Sequence, residues 1–79
     1  MGTKNNPGEF DCYESAAPDE PMFVLLARDP LAPGLVLKWA QQRQALIHNG
    51  LKPASDQQKV AEAEACARAM LDWHKANRP

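Results

Sequence analysis

The chain has little of what several functional classes require. Its 79 residues contain two cysteines and four isolated glycines, and no run of about eighteen apolar residues occurs in it. We therefore expect no membrane-spanning helix, and no apolar segment follows Lys4 that would indicate a secretion signal. Isolated glycines also exclude a glycine-rich phosphate-binding loop.

Neither sign of charge is in excess. Nine lysines and arginines stand against ten aspartates and glutamates, which gives a formal net charge of −1. Proteins that bind nucleic-acid duplexes need clustered cations to neutralise phosphates. The composition therefore argues against nucleic acid as a partner, and a DNA-binding regulator is the weakest of the functions we consider.

Metal-binding and catalytic motifs are also missing. The two histidines and two cysteines show none of the spacings Cys-x-x-Cys, His-x-x-x-His or His-Glu-x-x-His. Cys66 lies between two alanines in a helical pattern, away from the cations or helix N-terminus that would activate a thiol. We expect reduced thiols at Cys12 and Cys66, no metal, no cofactor, no catalytic residue and no enzymatic activity.

Two long stretches show helical periodicity. The first, at about 31–49, has an apolar side and ends at Asn49-Gly50, a pair that tolerates left-handed geometry. The second, at about 56–77, follows a Ser-x-x-Gln capping box at Ser55 and contains no proline or glycine. Because the connection is short, the sequence predicts an all-α protein, a helical hairpin of two long antiparallel helices.

The segment between Pro18 and Pro33, PDEPMFVLLARDPLAP, has two interpretations. Its Phe, Val and Leu residues suit a strand, but the chain contains no second strand to pair with it. Alternatively, Asp19 and Asp29 each precede a helix start, with proline in the first turn. We favour a short N-terminal helix at about 20–28, with Phe23 folded back toward the hairpin.

Residues 1–18 are polar and predict a flexible or extended arm, which leaves 19–79 as a single small helical domain. Phe10 and Tyr13 are either anchors that hold this arm on the hairpin or on a second subunit, or exposed aromatic residues of a free end. A domain of this size buries a marginal core, so we expect a homo-oligomer, with a homodimer favoured.

Trp39 and Trp73 each lie on the apolar side of a long helix. They either form one core layer with Phe23 and Met70, or one ring lines an exposed binding groove. The second interpretation allows a small-molecule site in which an oligomer holds a nucleotide through Arg28, Trp39, Arg43 and Trp73.

The middle of the chain resembles a group of small uncharacterised proteins encoded by tailed phages and prophages. The shared pattern reads D-E-P-x-F-x-L-x-A-x-D followed by A-P and a tryptophan, with a later Met-x-x-Trp. It is present here at Asp19-Glu20-Pro21, Phe23-Val24-Leu25, Ala27-Arg28-Asp29, Ala32-Pro33, Trp39 and Met70 to Trp73.

The resemblance implies an origin and a compartment, the cytoplasm of a bacterial host cell, and no specific activity. Together with the missing catalytic motifs it favours a non-enzymatic phage accessory protein that binds and modulates a host protein, for example as a counter-defence inhibitor. We expect its contacts to come from Phe10, Tyr13, Phe23, Arg28 and Asp29. Nucleotide sequestration is the alternative.

Overall fold

The computed structural model describes residues 1–13 and 15–77. Within them the chain is all-helical, as predicted, and contains no strand. Helix α1 spans Ala32–His48, a single 3₁₀ turn spans Ala54–Asp56, and helix α2 spans Gln57–Ala76. The two long helices pack against each other. Neither described helix is both long and apolar enough to cross a membrane.

Helix α1 begins two residues later than a cap at Asp29 would place it. The Asp29 carboxylate accepts the backbone N–H of Leu31 at 2.9 Å, and its carbonyl accepts that of Ala32 at 3.0 Å. This local turn satisfies amide groups that have no partner within a helix. Asp29 therefore leads the chain into α1, but Leu31 occupies the capping position and Pro33 lies in the first turn.

The end of α1 follows the sequence closely. Gly50 has φ +73°, the left-handed conformation expected from Asn49-Gly50. The Gly50 N–H is donated to Ile47 O at 3.1 Å and the Leu51 N–H to Leu46 O at 2.9 Å. This is the Schellman arrangement, in which the two residues after the helix satisfy its last carbonyl groups.

The start of α2 differs from the predicted capping box. Ser55 lies inside the 3₁₀ turn, and no side chain caps the first turn of α2. Asp56, at the capping position, has helical φ and ψ of −69° and −11°, whereas a capping side chain needs an extended backbone. Its carboxylate instead bonds to Arg43 on α1.

The N-terminal helix predicted at about 20–28 is not formed. Residues 20–26 adopt no regular secondary structure, and a turn follows at Ala27 and Arg28. Nine residues are too few for a stable isolated helix, so this one would need an apolar face packed on the rest of the chain. That packing is missing, since the Phe23 side chain is 85% exposed.

Small side chains fill the interface between α1 and α2. The buried hydrophobic residues are Ala32, Ala40, Val60, Ala63 and Ala67, and Val60 is the largest of those that are fully buried. Met1, Val36 and Ile47 pack on the edge of this core. The radius of gyration is 13.5 Å, above the value of about 11.6 Å expected for a compact chain of this length. The chain is therefore less compact than a globular domain of its length, and its core is thin.

The tryptophans do not form the core layer that the sequence allowed. Trp39 and Trp73 are both exposed, and neither belongs to the buried cluster of Ala40, Val60 and Ala63. Alanine brings the two helix backbones close together, and bulky rings do not fit into such a narrow interface. The proposed layer of Trp39, Trp73, Phe23 and Met70 is therefore wrong for this chain.

Two glycines give a matched test of the fold. Gly50→Ala is expected to lower the free energy of unfolding by about 1–2 kcal/mol, because a Cβ is strained in the left-handed conformation. Gly34→Ala is expected to raise it by about 0.5–1 kcal/mol, because Gly34 lies in α1 and a Cβ there meets nothing within 4 Å. Urea unfolding followed by circular dichroism measures both, and shifts of the same sign would contradict the assignment.

Because the core is thin, the stability of the chain should depend strongly on the size of the side chains between the helices. Ala63→Leu is expected to destabilise the chain by about 1–3 kcal/mol, because Ala63 is completely buried between the helices. Ala65→Leu is the control: it makes the same change two residues away on the exposed side of α2 and should alter stability by less than about 0.5 kcal/mol. Thermal unfolding separates the two variants, and equal effects would refute the packing described.

Candidate interaction surface

An N-terminal loop, residues 1–13, folds back onto α2. The Met1 amino group lies 3.2 Å from a carboxylate oxygen of Asp11 and 3.2 Å from one of Glu62. The two oxygens of Asp11 accept the backbone N–H groups of Gly2 at 3.1 Å and Gly8 at 2.7 Å. Asp11 therefore closes the loop on itself, and Glu62 fastens the loop to the helix.

Electrostatics reinforce this attachment. The Gly8 N–H and the Met1 ammonium hold the pKa of Asp11 below its ordinary value of 3.8. Burial lowers the pKa of the Met1 amino group, but its hydrogen bonds to Glu62 and Asp11 and their negative charges outweigh burial and raise the pKa above 8.0. Each group thus stabilises the charged form of the other.

The two aromatic residues of the loop have different surroundings. Phe10 is half-buried, and the Lys59 ammonium lies 5.7 Å from the centre of its ring. This is a cation–π contact that helps to dock the loop. Tyr13 is 77% exposed. Of the two interpretations of this pair, Phe10 fits the anchor and Tyr13 fits the exposed aromatic residue.

A second polar cluster joins the two helices near their connection. Asp56 is buried, and its carboxylate accepts a hydrogen bond from Arg43 at 3.2 Å and lies 3.8 Å from Lys59. The Arg43 guanidinium also lies 5.1 Å from the centre of the Trp39 ring. Gln57 donates to Gln44 beside it. These contacts tie the end of α1 to the start of α2.

The five residues predicted to contact a partner are spread over the N-terminal half. Phe10 and Asp29 have roles inside the chain, the first beneath Lys59 and the second before α1. The side chains of Tyr13, Phe23 and Arg28 are exposed. Only these three are therefore free to meet another molecule.

The residues considered for a nucleotide site include one preassembled pair. Trp39 and Arg43 are in contact, but the Arg43 guanidinium already bonds to Asp56. Trp73 is exposed on α2, and Arg28 is exposed in the turn before α1. A phosphate at Arg43 would have to compete with a buried carboxylate, which weakens the case for this site.

An open groove lies between the helices, but neither tryptophan lines it, unlike the groove that the sequence allowed. Its apolar lining comes from both helices, and Glu64 and Arg68 lie beside it; the lining residues are Pro33, Gly34, Leu37, Ala67 and Leu71. The signal was the pairing of Pro33-Gly34 with the alanine-rich side of α2, since small residues facing each other leave space at the surface. Neither Glu64 nor Arg68 forms an ion pair with another described residue.

The Cys66 thiol shows no sign of activation. Cys12 and Cys66 are free, as predicted, and burial raises the pKa of the Cys66 thiol above its ordinary value of 9.0. Among residues 1–13 and 15–77, no three His, Cys, Asp or Glu side chains are grouped so that they could hold a metal ion.

Comparison with protein-family models, with curated proteins and with solved structures finds no match for this chain.

The loop attachment predicts a pH dependence with two limits. Because the pKa of Asp11 is lowered, its contribution to the stability of the folded loop is complete above pH 3.8. This contribution is lost as the pH falls through the lower pKa that Asp11 has in the folded chain. Because the pKa of the Met1 amino group is raised, its contribution to the stability of the folded loop is complete below pH 8.0. This contribution is lost as the pH rises through the higher pKa that the group has in the folded chain. The Gly8 amide resonance in NMR spectra reports the acid transition, and the Cα–H resonance of Met1, which does not exchange with water, reports the basic one.

Asp11→Asn serves as the control for this titration, since it keeps the side-chain shape and removes the charge. The acid transition at Gly8 should disappear in this variant. A Gly8 resonance that titrates identically in both proteins would contradict the contact with Asp11.

Proposed function

We propose that the chain is a non-enzymatic phage accessory protein that binds a host protein inside the bacterial cell. The observation that carries this proposal is the distribution of apolar side chains. The described core consists of alanine and valine, whereas large apolar side chains lie at the surface, among them Tyr13, Phe23, Leu31 and Leu51. Surfaces of this kind mark sites of protein association.

The scaffold in this proposal is a hairpin of two antiparallel helices. Supporting contacts occur at both ends of the pair. Near the connection, Arg43 bonds to Asp56 and Gln44 to Gln57. Farther away, Pro33 at the start of α1 and Leu71 late in α2 line the same groove. A rigid pair of helices of this kind presents the N-terminal half of the chain to a partner.

Tyr13 is the contact that we place at the centre of the host interface, with Phe23 and Arg28 as further candidates. Tyrosine combines a large apolar ring with a hydroxyl and few rotatable bonds, which suits it to an interface. Its ring makes no contribution to the core of α1 and α2, so its exposure has no structural explanation within the chain.

The proposal predicts that the tagged protein retains a specific host protein from a bacterial lysate. Tyr13→Ala should lower the affinity by about tenfold, because truncating an aromatic anchor removes a dominant share of the binding energy. Tyr13→Phe should retain most of it. Mass spectrometry identifies the retained protein, and titration with the purified host protein measures the affinity.

Leu51→Ala is the matched control. Leu51 is 70% exposed, but it lies in the connection between the helices and is not among the residues proposed for the host interface. This variant should bind as the unchanged protein does. Equal retention by Tyr13→Ala, or an equal loss in Leu51→Ala, would overturn the assignment of the surface.

A further inference from the structure

Residues 22–26, MFVLL, form the most exposed apolar segment of the described chain. Phe23 is 85% and Val24 68% exposed, and Met22 and Leu26 are about half exposed. No backbone N–H from Met22 to Leu26 donates a hydrogen bond to another described residue. The segment thus presents apolar side chains and free backbone donors together, which is the property of an unpaired edge strand.

A lone strand leaves its backbone groups without partners, and a second copy of the chain supplies these partners. We propose that residues 22–26 of two copies pair as a short antiparallel β-ribbon across a two-fold axis. A two-fold interface requires a surface that is complementary to itself. Two identical strands meet this requirement when they run in opposite directions, because each exchanges backbone hydrogen bonds with the other.

The sequence selects one register. Hydrogen-bonded and non-hydrogen-bonded pairs alternate along an antiparallel ladder. If the axis lay between two successive pairs, symmetry would make these two pairs identical, although they must be of opposite type. The axis therefore passes through one pair, in which a residue faces its own copy. If that residue is Val24, Met22 faces Leu26 and Phe23 faces Leu25. Centring on Phe23 places Leu26 against the carboxylate of Glu20, and centring on Leu25 places Met22 against Arg28. Only the Val24 register keeps apolar residues opposite one another throughout.

Charge supports the same register. Glu20 lies two residues before the ribbon, and Arg28 lies two residues after it. With Val24 on the axis, Arg28 of each copy faces Glu20 of the other, and opposite charges across strands stabilise pairing. Neither side chain forms an ion pair with a described residue of its own chain. Because Pro21 has no N–H, its pair with Ala27 must be a non-hydrogen-bonded one, which makes the Val24 pair on the axis a hydrogen-bonded one.

A five-residue ribbon needs apolar cover, because an isolated two-stranded ribbon is marginal in water. A stable interface removes about 800 Å² from each partner, more than the ribbon alone can provide. The exposed residues Leu31, Leu35 and Trp39 follow at intervals of four and therefore share one side of the start of α1. Phe23 and the half-buried Leu25 lie on the same face of the ribbon, which would pack on this side of α1.

Light scattering and analytical ultracentrifugation of the purified protein test the proposal without any host partner. We expect twice the chain mass of 8.7 kDa for the unchanged protein and the single-chain mass for Val24→Pro. Proline removes the central ribbon N–H, which makes no hydrogen bond within the described chain, so circular dichroism should show both helices intact. A single-chain mass for the unchanged protein, or a Val24→Pro dimer, would overturn the ribbon.

Cross-linking locates the axis. In a Cys12→Ser, Cys66→Ala background, Val24→Cys should form a covalent dimer under mild oxidation, because facing Cα atoms in a hydrogen-bonded pair are about 5.5 Å apart, within disulfide range. Leu51→Cys, also exposed, is the control and should cross-link slowly. Equal rates for the two cysteines would contradict the register.

A charge exchange tests the predicted pairs. Arg28→Glu and Glu20→Arg should each weaken the dimer by about tenfold, because each creates two like-charge contacts across the axis. The double variant should restore the dissociation constant. Additive weakening in the double variant would refute the pairing of these side chains. A dimer that passes these tests while no host protein is retained would leave the ribbon established and the proposed function wrong.

Discussion

The contact between α1 and α2 is made by alanine and valine side chains, and the rest of the structure depends on this close approach. Small residues allow the backbones of two helices to come near each other, with Ala40, Val60 and Ala63 at the centre. A narrow interface has little space for aromatic rings or leucines. The same packing that holds the helix pair together therefore leaves most of the large apolar residues outside it.

The polar contacts are arranged around this thin core. Asp56, Arg43 and Lys59 fix the connected ends of the helices, and Met1, Asp11 and Glu62 hold the N-terminal loop against α2. Buried or half-buried ion pairs of this kind set the geometry of a small domain more than they increase its stability. They also account for Glu62, whose partner, the Met1 amino group, is 61 residues away in sequence.

The exposed apolar residues connect the fold to the proposed function. A chain whose helices exclude Trp39, Leu35 and Phe23 from the core gains free energy when another surface covers them. A second copy and a host protein are the two partners proposed, and Phe23 and Arg28 are candidates for both interfaces. Residues 22–26 and one side of α1 serve self-association, whereas Tyr13 on the N-terminal loop is available for the host protein.

The features that the sequence predicted correctly are those with local causes. Both long helices and the left-handed Gly50 depend on backbone preferences and on neighbours within a few residues, which a sequence displays directly. The short helix at 20–28 failed because nine residues cannot form a helix without tertiary packing. The capping box failed because the chain enters α2 through a 3₁₀ turn, which periodicity does not reveal.

The sequence by itself determined an all-helical chain and the approximate extent of its two long helices, because helix propensity and termination are local. Only the tertiary structure decided which apolar residues are buried. Periodicity places Trp39 and Ala40 on the same broad side of α1, but the helix separation set by alanine admits Ala40 and excludes the Trp39 ring. The attachment of Met1 to Glu62 was likewise decided in three dimensions, because it joins residues that are 61 positions apart in the sequence.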